Sequence, residues 1–399
     1  MLLRMKEINR LRVLQGYMDG KIEIEDAART LKRTARSVHR MVAKLRENGP
    51  EGVLHGNRNR VSPKRVPDSV RKKLIELALG RYRDINDTHF CEILSEAEGI
   101  VLGRETLRGI LRKGGIAPKR KVKRRKYRSR RERKESFGML LQVDASLHDW
   151  LEGRGPWLAL VGGIDDATGY AWAHFEEAET TWGYLELMEE VFRTHGVPLS
   201  LYADRHSIFH TTREPTIIEQ LKDIVPLTQF GRAMDELGIS IIKAWTPQAK
   251  GRIERLWGTF QDRLVVILRL AGANTLEQAR EVLKRFLNQH NKRFCVLPKK
   301  AQAVFRKAPP KAVLHQILCI KETRVVKKDH TVSFEGLVLQ IPPSKKYPCM
   351  ADGKVDVREY RDGHIEIVYR DCVVARFSSD AIRRLLNTKS VQHNLKMAA

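Results

Sequence analysis

The sequence has few cysteines and no long apolar run. Its five cysteines are scattered among 399 residues without a CxxC pair, so neither a disulfide framework nor a zinc module is indicated. No apolar stretch approaches the roughly 20 residues that cross a bilayer, and the N-terminus lacks the apolar segment of a signal peptide. These absences predict a protein of a reducing compartment, and we expect it in the cytoplasm.

Acidic residues are also scarce relative to basic ones. The chain has 48 Asp and Glu against 74 Lys and Arg, which gives a formal net charge of +26 and a pI of about 10.0. Such an excess attracts a polyanion, most commonly DNA or RNA, although ribosomal and membrane-surface proteins share it. The length predicts about two to four domains, each able to bury a core of its own.

A helix-turn-helix DNA-binding domain is predicted over residues 1–54. A short helix around residues 26–31 is followed by a turn at 32–33 and a longer helix over 34–47. In the longer helix, apolar residues recur every three or four positions and would face a core, which leaves a basic face for a DNA groove. A plain helical hairpin has the same pattern and is the alternative. The residues that we expect to contact DNA are Arg36, Ser37, His39 and Arg40.

A second helix-turn-helix domain is predicted over residues 68–118, after a basic linker at 55–67. A helix near residues 88–97 and another over about 104–112 repeat the arrangement of the first domain. Two such units in tandem argue against an accidental pattern. The DNA contacts expected from the second helix are Arg104 and Arg108.

A further basic linker covers residues 119–136, where 12 of the 17 residues up to Glu135 are Lys or Arg. Such a run repels itself and is ordered mainly by a polyanion. Each phosphate that it neutralises steepens the salt dependence of binding, and we expect Arg124 and Arg125 to contact DNA. A targeting signal or a solvated tail is the alternative, which the position between two organised regions disfavours.

Residues 137–305 have the pattern of a mixed five-stranded sheet flanked by helices. Three strand-like segments in a meander, the first ending at Asp144, are followed by helix, strand, helix, strand and helix. The fourth strand ends at Asp204, and Glu254 lies one turn into the helix after the fifth strand. If the first and fourth strands are neighbours, the two aspartates meet at one edge of this α/β core.

Three clustered carboxylates repel one another unless cations lie among them. Oxygen-only ligands favour Mg²⁺ or Mn²⁺ over zinc. Two such ions about 3.5 to 4 Å apart can hold the attacking and leaving oxygens of an in-line displacement at phosphorus. The basic neighbours of Glu254, which are Lys250, Arg252 and Arg255, would hold the DNA backbone beside it.

Each acid also has a purely structural alternative. An aspartate at the end of a strand is more often a turn or cap residue, because its side chain bonds readily to backbone. We expect Asp165 and Asp166, in the turn "DDATG", to have that role. Glu254 could similarly complement the dipole of its helix.

The segments "LLQVDAS", "GGIDDATGYAWA", "LYADRHSIF" and "TPQAKGRIERLWGTFQDRL" resemble the integrase-type core of bacterial insertion-sequence transposases, particularly the ISNCY-like group. The resemblance runs through roughly residues 137–305. It implies an RNase H-like fold with Asp144, Asp204 and Glu254 as a DDE triad that binds two Mg²⁺ ions, or Mn²⁺, per active site. It also implies DNA strand cleavage and strand transfer, helix-turn-helix units that read the transposon ends, and a homodimer or larger synaptic assembly at the bacterial nucleoid.

The C-terminal region is predicted to be a small antiparallel β-barrel over residues 306–380, followed by a loose tail at 381–399. Its segments alternate in twos, with a tight turn at Asp362 and Gly363. The region resembles the barrel that follows the core in phage Mu-like transposases. DNA backbone contact and subunit packing are both compatible with it.

Three functions are compatible with at least part of this pattern. A DDE transposase uses all three acids and needs a metal ion. A sequence-specific DNA-binding regulator with an inactive core needs only the helix-turn-helix units, and loss of any one acid would favour it. A structural RNA-binding protein explains the charge but neither the acids nor the two reading helices. The sequence favours the transposase.

Overall fold

The computed structural model describes residues 3–55, 57–58, 65–119, 131–211, 213–221, 225–243 and 250–386. The chain divides into two compact units, residues 1–74 and 75–399. No helix in the described part of the chain is long and apolar enough to cross a membrane.

The first unit contains the predicted short helix, turn and long helix. Its helices are α1 (Met5–Met18), α2 (Ile24–Leu31) and α3 (Ala35–Asn48), and a 3-10 turn over Gly49–Val53 follows. Lys32 makes the turn between α2 and α3 in the left-handed region, with φ of 53°. Thr34 begins α3 by accepting a hydrogen bond from the Ser37 N–H at 3.3 Å, which satisfies one of the free amides of the first turn. The core consists of Leu14, Ala27, Val38, Val42, Leu45 and Val53.

Three further helices precede the sheet. They are α4 (Asp68–Leu79), α5 (Asp87–Ala97) and α6 (Arg104–Lys113). Asn86 caps α5 by accepting a hydrogen bond from the His89 N–H at 2.9 Å. The Arg112 guanidinium lies 2.6 Å from the Asp87 carboxylate, so it ties α6 to the start of α5. The helices predicted near residues 88–97 and 104–112 therefore correspond to α5 and α6.

A five-stranded mixed sheet forms the centre of the second unit. Its strands are β1 (Leu141–His148), β2 (Leu158–Asp165), β3 (Ala171–Glu176), β4 (Ser200–Ala203) and β5 (Ser240–Lys243). The order is β3-β2-β1-β4-β5. The first three strands form an antiparallel meander, whereas β4 and β5 run parallel to β1. This order and these directions are those of an RNase H-like sheet, and the first and fourth strands are neighbours, which is the condition for the two aspartates to meet.

The first strand is longer than the sequence suggested. Asp144 was expected at its end, but β1 continues to His148 because its antiparallel pairing with β2 extends to His148 and Leu158. The parallel pairing with β4 stops at Gln142 and Tyr202. Asp144 therefore lies where β1 loses its β4 neighbour, which opens one side of the strand to other side chains.

Helices cover both faces of this sheet. They are α7 (Thr181–Thr194), α8 (Ile217–Leu221), α9 (Gln229–Glu236), α10 (Gly251–Leu270) and α11 (Leu276–Phe294). One core packs α7 and α9 against the sheet, through residues that include Leu187, Phe192 and Phe230. The other packs α10 and α11 against the opposite face, through residues that include Trp257 and Phe260. The helix that carries Glu254 is thus held along its length by the sheet.

The C-terminal region does not close into the predicted barrel. It contains α12 (Lys311–Ile317), β6 (Ile320–Val325), β7 (Thr331–Phe334), β8 (Leu337–Gln340), β9 (Lys354–Glu359), β10 (Ile365–Tyr369) and β11 (Cys372–Phe377). The described residues form an open sheet of order β11-β10-β9-β6 and a separate ribbon, β7-β8. Sheet and ribbon share one apolar core, so the alternating apolar residues are buried without closure of the sheet edges.

Of the turn and the tail predicted for this region, the turn is present and the tail differs from expectation. The tight turn at Asp362 and Gly363 is present between β9 and β10, with Gly363 at a φ of 81°. The predicted loose tail begins as helix, since residues 379–386 are helical. The rest of the tail, residues 387–399, lies outside the described residues.

Candidate active site

Asp144 is held through both of its carboxylate oxygens. The Lys250 ammonium group donates to Oδ1 at 2.8 Å, and the Trp257 indole N–H donates to Oδ2 at 3.0 Å. Both donors come from the start of α10, which packs against β1 and β2 here. The orientation of the Asp144 carboxylate is therefore fixed by the helix that also carries Glu254.

Asp204 follows β4 directly and faces the same ammonium group. Its Oδ2 lies 3.4 Å from Lys250 Nζ, and its Oδ1 accepts a hydrogen bond from the His206 N–H at 2.9 Å. Lys250 is 8% exposed and stands at the N-cap position of α10. The neighbouring strands thus bring two predicted acids to one cationic group, whose charge offsets their mutual repulsion.

Glu254 does not form a compact cluster of ligand atoms with this pair. It is an exposed residue in the first turn of α10, one helical turn after Lys250. A metal site of three or more His, Cys, Asp or Glu side chains needs their ligand atoms close together. Among the described residues, one set has all its ligand atoms within 4.8 Å of one another, and it consists of His174, Glu176 and Glu186. Asp144, Asp204 and Glu254 do not form such a set, and the residues just before Lys250, 244–249, lie outside the description.

The donor set at the aspartates suits a divalent cation. Two carboxylates already share one cationic group at 2.8 and 3.4 Å, and carboxylate oxygens are the ligands that Mg²⁺ and Mn²⁺ prefer. A metal ion between them would replace the Lys250 ammonium group. The fit is therefore good for the aspartates, with Glu254 available from the adjacent turn of helix.

Competition between Lys250 and a metal ion is testable without an activity assay. We expect Lys250→Met to lose about 1–3 kcal/mol of stability without metal, because two partly buried carboxylates lose their counter-charge. Mg²⁺ should then raise the melting temperature of this variant more than that of the wild type, since no ammonium group must be displaced. Thermal unfolding with and without Mg²⁺ measures both effects.

The exposed Lys284 on α11 provides the control, because Lys284→Met removes a lysine from a helix surface. An equal Mg²⁺ response in wild type, Lys250→Met and Lys284→Met would show that Lys250 does not occupy the cation position.

The start of α10 is anchored to the turn between β2 and β3. This helix has no side-chain cap of its own; instead, the Gln142 side-chain oxygen accepts a hydrogen bond from the Ile253 N–H at 3.3 Å. The Gln142 amide in turn donates to Asp166 at 3.0 Å, and Arg252 Nε donates to the same carboxylate at 2.6 Å. These three contacts, two of them buried and one partly buried, therefore fix the first helical turn, in which Glu254 lies.

Asp166 is not the simple turn residue that the sequence suggested. Its side chain is fully buried and also accepts hydrogen bonds from Arg131 and from the Lys134 N–H. Burial raises the pKa of this carboxyl group, but the Lys134 N–H and the Arg252 guanidinium outweigh it and hold the pKa below its ordinary value. Asp166 is thus an ionised anchor for α10.

Asp165 has the turn role that was expected. It accepts hydrogen bonds from the Thr168 N–H and hydroxyl at 2.7 and 2.8 Å, and from the Gly138 N–H at 3.0 Å. Burial raises its pKa.

The predicted DNA-contact residues have varied surroundings. Arg36, His39 and Arg40 are exposed on α3, whereas Ser37 is part of its N-terminal cap. Arg104 and Arg108 are exposed on α6 and both pair with Glu105 on their own helix.

The basic residues around Glu254 also differ from one another. Arg255 is exposed, with Nε donating to the Gly251 carbonyl at 2.8 Å. Arg252 was expected to hold DNA, but Asp166 binds its side chain, which is 13% exposed. Arg124 and Arg125 lie outside the described residues.

Gly162 is a site residue that the sequence interpretation missed. It lies opposite Asp144 on β2, and a Cβ at this position would lie 2.7 Å from the Trp257 ring and 2.9 Å from the Trp172 carbonyl oxygen. Trp257 can therefore reach Asp144 only because position 162 has no side chain. A pair of glycines within an apolar strand was the available signal, since glycine inside a strand often marks a close approach.

We expect Gly162→Ala to displace Trp257 and to cost about 1–3 kcal/mol of stability through overpacking. Loss of one hydrogen bond to Asp144 should also lower turnover about tenfold. Thermal unfolding followed by tryptophan fluorescence, together with an activity assay, measures these effects. The adjacent Gly163 is the matched control, because a Cβ there would meet its nearest atoms at an ordinary 3.6 Å. Equal behaviour of Gly162→Ala and Gly163→Ala would contradict this role.

The strand order and the two aspartates define an RNase H-like core. No protein-family model matches the chain. Over 369 residues it is 33% identical to transposase y4bF of Sinorhizobium fredii, with 92% of this chain and 79% of that one covered. It is 32% identical to the transposase for insertion sequence IS1202 of Streptococcus pneumoniae, with 83% of this chain and 77% of that one covered. The chain belongs to the insertion-sequence transposases.

Solved structures add little to this assignment. The catalytic core domain of BIV integrase is 18% identical to this chain, with a TM-score of 0.28. The alignment covers 44% of this chain and 93% of the integrase domain. Because this TM-score and this identity are low, the RNase H-like fold is assigned from the strand order and strand directions alone.

Proposed function

We propose that this transposase binds transposon ends and catalyses metal-dependent DNA strand cleavage and strand transfer at Asp144, Asp204 and Glu254. The observation that carries the proposal is the pair of aspartates on adjacent strands, which meet at one ammonium group. Membership of the transposase family supports it. A DNA-binding regulator with an inactive core would need neither the acids nor the lysine between them.

The three acids would hold Mg²⁺, with Mn²⁺ as the alternative. Two bound ions would stabilise the attacking and leaving oxygens of a displacement at phosphorus. The contacts of Asp144 with Trp257 and of Asp204 with the His206 N–H orient these carboxylates before any ion binds. The Lys250 ammonium group, once released from the aspartates, would neutralise a DNA phosphate together with Arg255.

The proposed partner is double-stranded DNA, both the terminal inverted repeats and the target. The net charge of +26 supports it. Residues 1–54 and 68–118 would recognise the ends, residues 137–305 would carry the chemistry, and the basic linkers would bind phosphates. The proposed end-contact residues are Arg36, Ser37, His39, Arg40, Arg104, Arg108, Arg124 and Arg125. Because two ends must be joined, we propose a homodimer or larger synaptic assembly.

The test is cleavage of a labelled duplex that carries the terminal repeat of the element, with Mg²⁺ and with EDTA. We expect the wild type to nick the 3′ end with Mg²⁺ and not with EDTA, and we expect Glu254→Gln to lose nicking. Glu277→Gln is the matched control, because Glu277 is likewise an exposed acid in the first turn of a long helix. It should retain nicking.

Tight and specific binding without nicking, under every metal tried, would overturn the proposal in favour of the regulator. Retained nicking by Glu254→Gln would remove this residue from the site.

A further inference from the structure

We propose that the docking of α5 on α10 and α11 sets the distance between the end-reading helix α6 and the scissile phosphate. Glu92, Arg263 and Arg293 are then positioning residues for the cut. The inference rests on the proposed function, because it takes α6 to read the end and α10 to carry Glu254.

An ion-pair network joins α5 to both helices. The Glu92 carboxylate accepts hydrogen bonds from Arg263 on α10, one of them at 3.2 Å, and it also accepts from Arg293 on α11. Arg293 additionally contacts Glu96 at 3.0 Å. The Arg263 residue is 9% exposed, so its charge depends on Glu92 for compensation.

A second group of polar contacts flanks this network. The Asn86 side-chain amide donates to the Asp262 carboxylate, and the Lys119 ammonium group lies 3.0 Å from the same carboxylate. The Arg269 guanidinium donates to the Arg83 carbonyl at 2.5 Å. The segment that carries α5 and α6 is thus attached along α10 at Asp262, Arg263 and Arg269, and not at a single point.

Aromatic and imidazole rings line a cavity beside these polar contacts. His89 on α5 and His290 on α11 are buried, and both line a cavity of about 210 Å³ with Phe286 and Phe294. Burial, and then the nearby Arg263 charge, lower the pKa of each histidine to about 4. Both rings are therefore uncharged near neutral pH and add no repulsion to the arginines.

The reading helix is tied to α5 in turn. Arg112 on α6 pairs with Asp87 at 2.6 Å, and the apolar residues Leu94, Leu107 and Leu111 of the two helices are buried. The exposed Arg104 and Arg108 of α6 therefore hold a fixed position relative to the start of α10. Because Lys250 is the N-cap residue of α10 and Glu254 lies in its first turn, recognition and chemistry share one rigid support.

A rigid support of this kind determines where DNA is cut. If α6 moves relative to α10, bound DNA presents other phosphates, and a displacement of about 1 Å can cost up to 10²-fold in rate. We expect binding by α6 itself not to depend on the docking, because Arg104 and Arg108 are exposed and pair with Glu105 of their own helix. The expected signature of weakened docking is therefore misplaced or slowed cutting with unchanged end affinity.

The experiment maps nicks on a labelled terminal-repeat duplex at single-nucleotide resolution for wild type, Glu92→Gln and Arg293→Gln. We expect the wild type to nick at one phosphate. The variants should nick there about tenfold more slowly, with additional nicks at neighbouring positions, while end affinity changes less than threefold. Arg293 is 42% exposed, so its variant tests the proposal if Glu92→Gln folds poorly.

Two exposed α11 residues, Glu281 and Arg285, are the matched controls. Glu281→Gln and Arg285→Gln should cut as the wild type does. Cutting by both network variants at the wild-type position and rate would overturn the inference and leave the proposed function intact. Absence of nicking by the wild type itself, with metal present, would instead count against the proposed function.

Discussion

Asp144→Asn is expected to slow strand cleavage by about 10³-fold or more while end binding stays within a few-fold of wild type. The amide keeps the size of the carboxylate and can still accept from Trp257 or Lys250, so the site should keep its shape. It lacks the negative charge that a divalent ion requires. Loss of several kcal/mol of charge stabilisation corresponds to about 10³-fold in rate.

Nicking of the terminal-repeat duplex and its affinity, measured on one preparation, separate chemistry from binding. Asp204→Asn should behave in the same way. Asp149→Asn is the control, because Asp149 follows the same strand but accepts a hydrogen bond from the Gly153 N–H at 3.0 Å, as a turn residue does. Wild-type cleavage by Asp144→Asn or Asp204→Asn would exclude that residue as a metal ligand.

Asp166→Asn is expected to destabilise the second unit by about 3–5 kcal/mol, the cost of removing one partner from a buried charge network. Its carboxylate is fully buried and accepts from Arg131, Arg252, Gln142 and the Lys134 N–H. An asparagine that keeps its oxygen towards the two guanidinium groups would direct its own N–H donors at the Lys134 N–H, and it would lack the charge that offsets the arginines. The first turn of α10 should loosen as a result, so cleavage should fall together with stability.

Chemical denaturation measures the loss, and Glu132→Gln is its control. Glu132 pairs with Lys299 at 2.9 Å, with both side chains more than half exposed, and such surface pairs contribute about 0–1 kcal/mol. The stabilisation by Asp166 should be present above the pKa of an unfolded carboxyl and be lost as the pH falls through its lower folded pKa. A loss of stability no greater than that of Glu132→Gln would contradict the anchor role.

Much of the fold follows from patterns that are local in sequence. The apolar segments predict five strands, and the intervening amphipathic segments predict the helices. The adjacency of β1 and β4 was only a condition at that stage, and the folded structure meets it. The extent of β1 was not predictable in this way, because antiparallel pairing with β2 carries it past Asp144. The open C-terminal sheet was missed for a related reason. Alternation shows which faces are buried but not whether two sheet edges meet.

In the candidate site, likewise, the acids could be predicted from local sequence and their hydrogen-bond partners could not. Each acid stands in a recognisable local setting, so the sequence can nominate all three. The partners of these acids come from distant positions: Lys250 is 106 residues from Asp144 along the chain, and Trp257 is 113 residues away. Asp166 was read as a turn residue because its segment is a turn, whereas Arg252 and Gln142 reach it only in the folded protein.

The close contact of the Trp257 ring with Gly162 also bears on how copies of an insertion sequence lose their activity. A copy of the gene that acquires Ala, Ser or Val at this position keeps Asp144, Asp204 and Glu254, yet its product can no longer seat Trp257 against Asp144. We expect such a copy to be impaired. Surveys of repeated copies that score only the acids would therefore count immobile copies as mobile ones.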